Sequence, residues 1–196
     1  MLIDFYWLME IHLIRHTPID FDKNRCYGQL DVPLSASFDQ DLIKMEGLVE
    51  DKYDAVFSSP KDRCTRLAEE LNRKEVLTDN RLLELNFGDW EGKLWDEINQ
   101  NELGKWMIDF VHVSPNNGET LNQMYLRISD FIEELRKTNH KKVLIVTHGG
   151  VIRCFWAYFL EFPLKNLYRI PVKFHENFKF NLGQSREFDS LLSVSK

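Results

Sequence analysis

Two histidines each follow a short apolar segment of the sequence. His16 comes after residues 10–15, with Arg15 directly before it, and His148 comes after residues 142–147. Both segments are rich in isoleucine, leucine and valine, which is typical of strands buried on both faces of a parallel sheet. Open α/β sheets bind ligands at the carboxyl ends of their strands. If the two strands are neighbours, the two imidazoles lie side by side at such an edge.

Arg63 adds a second guanidinium to this edge. A short strand is predicted over residues 55–58, and the Ser-Ser-Pro sequence at its end begins a helix with Arg63 in its first turn, near the positive end of the helix dipole. Two arginines and two histidines at one point favour a tetrahedral anion, because guanidinium forks match phosphate oxygens bidentately. A zinc site would need a carboxylate, a cysteine or a third histidine nearby, and the arginines would repel the ion. We therefore expect no metal here.

A histidine in such a cluster can act as a nucleophile. Neighbouring guanidinium groups lower the pKa of an imidazole, which keeps one ring nitrogen of His16 unprotonated. Attack on phosphorus would give a phosphohistidine that water then hydrolyses, and the two arginines would stabilise the charge. Glu84 stands among apolar residues and could supply the proton that a departing alkoxide needs. A structural hydrogen bond from Glu84 to the backbone is the alternative.

The alternation of strands and helices predicts an α/β fold, which we expect to be a three-layer α/β/α sandwich with a mostly parallel central sheet. Residues 93–113 are aromatic and weakly helical, and we interpret the segment of about 86–119 as a helical insertion over the carboxyl edge of the sheet. Thr120 and Gln123 have capping-box spacing before an amphipathic helix. Two short strands are expected within residues 168–182, followed by a loose polar tail from residue 184.

Composition limits the classes of function. The chain has 196 residues, 43% of them hydrophobic and 29% charged, and neither an internal repeat nor a low-complexity linker divides it, so a single domain over residues 1–196 is predicted. A net charge of −6 and a pI near 5.5 argue against a nucleic-acid or anionic-membrane surface. No apolar run approaches the roughly 18 residues of a membrane span. Three widely spaced cysteines match neither a disulfide framework nor a metal knuckle, which indicates a reducing cytoplasm. We interpret the first eight residues as an extension or an early start codon.

Four motifs together resemble the histidine phosphatase superfamily, which includes the phosphoglycerate mutases. They occur in the expected order between about residues 10 and 169, and they comprise residues 13–17, residues 58–60 with Arg63, Glu84 with residues 87–92, and residues 147–150. The resemblance implies that His16 is the phosphorylated nucleophile and that Glu84 is the proton donor. It also implies that Arg15, Arg63 and His148 hold the phosphoryl group, and that no cofactor takes part.

One branch of the superfamily is most similar. Thr17 stands where the family usually has glycine, and the asparagine often found a few residues later is missing. The loop over residues 26–31, with Thr17-Pro18 and Arg63-Cys64, looks like the α-ribazole phosphatases, which dephosphorylate α-ribazole 5'-phosphate during assembly of the cobalamin lower ligand. On this resemblance we expect four residues to bind substrate: Thr17, Tyr27, Gln29 and Gly149.

Other functions remain open. A phosphoglycerate mutase is one, although mutases of the superfamily are longer; a general sugar-phosphate or nucleotide phosphatase and a non-catalytic phosphate-binding module are others. The expected partner is a small phosphate monoester, without nucleic acid or membrane, and a homodimer is an open alternative to a monomer. Six aromatic residues are expected near the site and would suit a flat apolar leaving group, unless they form a small satellite core: Tyr27, Phe87, Trp90, Trp95, Trp106 and Phe110.

Overall fold

A six-stranded sheet organises the chain. The structure, a computed structural model, describes residues 8–71 and 75–196. The strands are β1 (Met9–Arg15), β2 (Ala55–Ser58), β3 (Leu77–Thr78), β4 (Lys142–Thr147), β5 (Asn177–Leu182) and β6 (Ser190–Ser195), in the order β3-β2-β4-β1-β5-β6. Strands β3, β2, β4 and β1 are parallel, whereas β5 runs antiparallel to β1 and to β6. The central sheet is therefore mixed, with β5 alone reversed among these strands.

The two histidine-bearing strands are neighbours, as predicted. Strands β1 and β4 pair in parallel from Glu10 and Lys142 onward, and their last residues, Arg15 and Thr147, are partners in the register. Both strands are almost completely buried. Successive side chains of a strand point to opposite faces of the sheet, and both faces of these strands are apolar. This register brings the two strand ends to the same level at the carboxyl edge of the sheet.

Helices cover both faces of the sheet. They are α1 (Phe38–Glu46), α2 (Asp62–Leu71), α3 (Gln100–Ile108), α4 (Leu121–Leu135) and α5 (Gly149–Leu160). Leu13 and Ile145 pack in one core with residues of α4 and α5, whereas Ile14 and Val146 pack in a second core with residues of α1 and α2. The expected three-layer α/β/α arrangement is thus confirmed, and successive residues of one strand contact opposite helical layers.

The segment of 86–119 lies between β3 and α4 and contains a short 3-10 helix (Gly88–Trp90) followed by α3. A bridge between Arg25 and Leu94 connects it to the loop that follows β1. The predicted capping box is present: the hydroxyl of Thr120 accepts from the Gln123 amide at 3.1 Å, and the Gln123 side chain accepts from the Thr120 amide at 2.8 Å. This cap begins α4 where the sequence indicated.

Two expectations for the C-terminal part were wrong. Residues 164–169 form a 3-10 helix, so β5 is the one strand within 168–182 rather than two. The tail is also ordered, because β6 pairs with β5 and the guanidinium of Arg136 bonds both carboxylate oxygens of Asp189 at 2.8 Å. The polar composition of the tail from residue 184 gave no indication of this buried ion pair between the end of α4 and the segment before β6.

Two further expectations concern the first eight residues of the chain and membrane-spanning segments. The proposed extension at the first eight residues lies, except for Leu8, outside the described residues. Among the helices of the described part of the chain, none combines the length and apolarity that crossing a bilayer requires.

Candidate active site

His16 and His148 lie side by side at the carboxyl edge of the sheet. Their ring centroids are 5.3 Å apart and the rings are inclined by 63°. His16 follows β1 and His148 is the residue immediately before α5, so the register of β1 with β4 sets this separation. Both imidazoles are almost completely buried. The predicted pairing of the two histidines is therefore confirmed.

One ring nitrogen of His16 is committed to the backbone. Its Nδ1 lies 2.7 Å from the carbonyl oxygen of Thr17, which can only accept, so Nδ1 carries the proton and Nε2 keeps its lone pair. Burial holds the pKa of His16 well below its ordinary value, and the positive charges of Arg15 and Arg63 lower it further. The sequence predicted the effect of the guanidinium groups, but burial is the larger cause. The imidazole is thus neutral with Nε2 unprotonated.

Arg63 is fully buried and held by the loop after β1. Its Nη1 donates to the carbonyl of Leu30 at 2.9 Å and its Nη2 to the carbonyl of Gly28 at 2.5 Å. The Cζ of Arg15 lies 4.0 Å above the ring of Phe174. The Nε atoms of both arginines are buried and have no acceptor within residues 8–71 and 75–196. Two oriented N–H groups thus remain for an anion.

His148 is the second imidazole of the site. Its Nε2 lies 2.7 Å from the hydroxyl of Ser59, and the thiol of Cys64 lies 3.6 Å away. Burial, followed by the neighbouring His16 and Arg63, holds the pKa of His148 well below its usual range. The negative charge of an anion bound beside His148 would favour the protonated imidazole and so raise its pKa.

Glu84 makes the backbone hydrogen bonds considered as the alternative role, and its role as proton donor stays a prediction. One carboxylate oxygen accepts from its neighbour's amide, that of Leu85, and the other accepts from the amide of Gly150 in the first turn of α5, each at 3.0 Å. The segment is anchored to β4 by the Thr147 hydroxyl, which donates to the carbonyl of Leu82 at 2.8 Å. The carboxylate also lines the cavity described next. Backbone hydrogen bonds therefore hold a carboxyl group at the site.

A cavity of about 180 Å³ joins these groups. All five predicted catalytic residues line it: Arg15, His16, Arg63, Glu84 and His148. The carboxyl group of Glu84, the guanidinium groups of Arg15 and Arg63 and the two imidazoles converge on a space suited to a phosphoryl group. The arrangement can bind a tetrahedral anion and present a nucleophilic nitrogen to it.

The four predicted substrate-binding residues differ in placement. Tyr27 lines the cavity, whereas Thr17, Gln29 and Gly149 are not among its lining residues in the described chain. The carbonyl of Thr17 holds His16, and the side chain of Gln29 donates to the carbonyl of Glu84 at 2.9 Å. Their roles in binding substrate stay predictions, and the contacts seen are with the protein itself.

The aromatic residues mostly form a satellite core. Of the six, Tyr27 and Phe87 line the cavity. Trp90, Trp95 and Trp106 pack together with Ile98 behind Phe87. The expected overhang of aromatic rings therefore shrinks to two of them, because the insertion needs the indoles for its own core.

Three residues near the site were not singled out in the sequence. Arg153 and Tyr168 line the cavity, and Phe174 contacts both Arg15 and His16. A signal existed for Arg153, since it lies four residues after Gly149 and so on the same face of a helix. None existed for Tyr168, which lies in the 3-10 helix of residues 164–169, or for Phe174, which lies in the irregular chain before β5.

A candidate cation site lies elsewhere in the described chain. One ligand atom each of Glu10, His12 and Glu50 come within 4.8 Å of one another, at the opposite end of β1 from His16. The Glu50 carboxylate already pairs with the ammonium groups of Lys142 and Lys179. Because these lysines supply the positive charge, the cluster fits an ion-pair network better than a metal.

The sequence of this chain is similar to those of named proteins from other organisms. The chain is 26% identical over 170 residues to phosphoserine phosphatase 1 of Hydrogenobacter thermophilus, covering 82% of this chain and 81% of that protein. It is 30% identical over 159 residues to phosphoglycerate mutase-like protein 4 of Arabidopsis thaliana, covering 75% and 69%.

A solved structure has the same fold. The α-ribazole phosphatase from Shigella flexneri superposes with a TM-score of 0.87 at 24% identity, covering 96% of each chain. Residues 11–186 match the histidine phosphatase superfamily (branch 1). The site at the ends of β1 and β4 is thus found in a chain that belongs to the histidine phosphatase superfamily.

Proposed function

We propose that this protein hydrolyses phosphate monoesters through a phosphohistidine formed at His16. The observation that carries the proposal is the hydrogen bond from Nδ1 to the Thr17 carbonyl, which leaves Nε2 as a nucleophile in a cavity that Arg15 and Arg63 also line. A module that only binds phosphate has no need of an acid, so Glu84 in the same cavity favours catalysis.

The first step transfers the phosphoryl group. Nε2 of His16 attacks phosphorus, the bond from phosphorus to the ester oxygen breaks, and the protonated Glu84 gives its proton to the departing oxygen. The guanidinium groups of Arg15 and Arg63, with His148, bind the non-bridging oxygens as charge builds on them. In the second step water attacks phosphorus, its proton passes to the Glu84 carboxylate, and Nε2 leaves.

For the substrate we propose α-ribazole 5'-phosphate. The loop over residues 26–31 and the fold shared with the Shigella flexneri α-ribazole phosphatase support this assignment. Rings of Tyr27, Phe87 and Tyr168 line the cavity and offer apolar faces to a flat leaving group.

Arg153 favours a second candidate, an ester whose leaving group carries a carboxylate. The Nε of Arg153 donates to the carbonyl of Ile170 at 2.9 Å, and the guanidinium lines the cavity without an ion pair to any described carboxylate. Phosphoserine and 3-phosphoglycerate are esters of this kind, and relatives of the chain are named phosphoserine phosphatases. A guanidinium without an ion pair among the described residues suits a carboxylate, because charge-assisted pairs are strong.

A substrate panel separates the two candidates. We expect kcat/KM for α-ribazole 5'-phosphate to exceed that for phosphoserine and 3-phosphoglycerate, and hydrolysis to exceed mutase activity. Arg153→Gln should leave the ribotide reaction nearly unchanged and raise KM only for the carboxylate-bearing esters. A higher kcat/KM for phosphoserine that Arg153→Gln abolishes would instead select the second candidate while the histidine mechanism stands.

A further inference from the structure

We propose that Glu91 is a positioning residue that aims Arg63 at the phosphoryl group. The carboxylate of Glu91 holds the backbone of residues 28–30, and that backbone holds the guanidinium. This inference rests on the proposed function, because it assigns to Arg63 the binding of a phosphoryl group.

The Glu91 carboxylate accepts four backbone hydrogen bonds. One oxygen accepts from the amides of Gly28 and Leu30, at 2.9 and 3.0 Å, and the other from those of Gln29 and Phe87, at 2.9 and 3.1 Å. Three consecutive amides of the loop thus converge on one side chain. A carboxylate has acceptor sites for four such bonds and no donor, so its capacity is filled.

The same loop residues bind Arg63 with their other backbone group. The carbonyls of Gly28 and Leu30 accept from Nη2 and Nη1 of Arg63, while their amides point to Glu91. Once both terminal nitrogens are fixed, the planar guanidinium cannot rotate and the direction of its free Nε–H is set. Glu91 therefore acts on the anion through the backbone of residues 28–30 and the guanidinium of Arg63.

The packing around Gly28 leaves the loop little other freedom. A Cβ at this position would lie 1.9 Å from the carbonyl oxygen of Leu85 and 3.1 Å from the Glu91 carboxylate. The loop thus lies directly against the segment that carries Glu84 and Glu91. Loss of the carboxylate would release the amides of residues 28–30 and, with them, the carbonyls that hold Arg63.

Glutamine cannot replace Glu91 in this role. Its amide group has one acceptor oxygen, and its NH₂ would face two backbone N–H donors. We expect Glu91→Gln to weaken binding of orthovanadate about tenfold or more. A misdirected guanidinium loses its charge-assisted hydrogen bond to the anion, and the loss of such a bond lowers affinity by at least that factor. Asp89→Asn is the matched control. Asp89 lies two residues before Glu91, in the 3-10 helix that ends at Trp90, and its carboxylate accepts from the exposed Asn117 side chain. It should bind orthovanadate as the parent protein does.

A double-mutant cycle is the decisive measurement. Orthovanadate affinity is measured by titration for the parent protein, Glu91→Gln, Arg63→Gln and the double variant. If Glu91 acts through Arg63, the double variant binds no more weakly than Arg63→Gln alone. Additive losses, or a Glu91→Gln protein that binds normally, would overturn the inference. An Arg63→Gln protein that binds orthovanadate normally would instead defeat the proposed function.

Glu91→Asp guards against a general loss of structure. The shorter side chain keeps the charge and acceptor sites but reaches less far, so its affinity should fall between those of the parent and Glu91→Gln. The same cycle can be run with Glu91→Asp if Glu91→Gln does not fold. If the losses of orthovanadate affinity in Glu91→Asp and Arg63→Gln are not additive in the double variant, the inference is supported. Additive losses would refute it.

Discussion

The Nδ1 of His16 donates to the carbonyl oxygen of Thr17 across 2.7 Å. This contact between adjacent residues selects the tautomer of a buried imidazole, because a carbonyl oxygen can only accept. It also explains how threonine can stand where the family usually has glycine: the backbone, which every residue has, makes the bond. The consequence is a single nucleophilic atom, Nε2, whose chemistry can be tested.

A phosphohistidine should form at His16. Rapid quenching during turnover of labelled substrate should trap a phosphoprotein that is labile in acid and stable in alkali, as expected for a phosphorus–nitrogen bond. His16→Ala should abolish the label, whereas His112→Ala, which alters an imidazole that is 71% exposed, should retain it. Label found on serine, or surviving in His16→Ala, would exclude this mechanism.

Glu84 should matter in proportion to the basicity of the leaving group. Glu84→Gln removes the acid, so hydrolysis of an alkyl phosphate should slow far more than that of p-nitrophenyl phosphate, whose leaving group needs little protonation. General acid catalysis typically supplies about 10²–10⁴-fold, which sets the size of the difference. Both rates come from one variant, so partial misfolding cancels. Equal losses on the two substrates would assign Glu84 a positional role only.

Stability should fall as the pH drops below about 6.5. The pKa values of His16 and His148 are held well below this value in the folded chain, chiefly by burial. Below about pH 6.5 the unfolded chain takes up protons that the folded chain does not, so the free energy of unfolding declines by up to about 1.4 kcal/mol per pH unit for each histidine. Above that pH their contribution is constant.

Urea unfolding between about pH 7.5 and pH 5 measures this decline. His148→Gln should make the decline shallower by about one proton's share. Identical slopes for the parent and His148→Gln would mean that His148 takes up its proton in the folded protein over the same pH range as in the unfolded chain.

Activity should survive removal of metal ions. Arg15 and Arg63 supply the positive charge beside the phosphoryl group, and the Glu10–His12–Glu50 cluster lies at the other end of β1. Turnover after exhaustive treatment with EDTA should match that of untreated protein, and orthovanadate should inhibit both equally. If turnover is lost on chelation and restored by zinc or magnesium, a metal takes part.

The sequence predicted the groups at the site better than their surroundings. His16 and His148 were found because each ends an apolar strand, and a buried strand has few places in an α/β sheet. Tyr168 and Phe174 were missed because a short 3-10 helix and the irregular backbone after it bring them to the site, and neither has a periodicity that the sequence shows. For the indoles the alternative of a small satellite core holds, and the sequence could not decide it because an aromatic composition does not tell whether rings face a cavity or one another.

The C-terminal part shows the same limit. Strand β6 follows a polar stretch, and what orders it is the pairing of Asp189 with Arg136, residues far apart in the chain. A pattern within one segment cannot report a partner in another. Local signals such as the Thr120 capping box were read correctly because both of its groups lie within one turn.

The position of β4 at the centre of the sheet has a consequence for how the protein becomes active. Strand β4 separates β1 from β2 but is made after four of the five helices, so the N-terminal two-thirds of a growing polypeptide has β1 and β2 without the strand that joins them. Contacts between segments so distant in sequence form slowly during folding. The two imidazoles meet only when β4 pairs with β1, which makes turnover a reporter of that pairing during refolding.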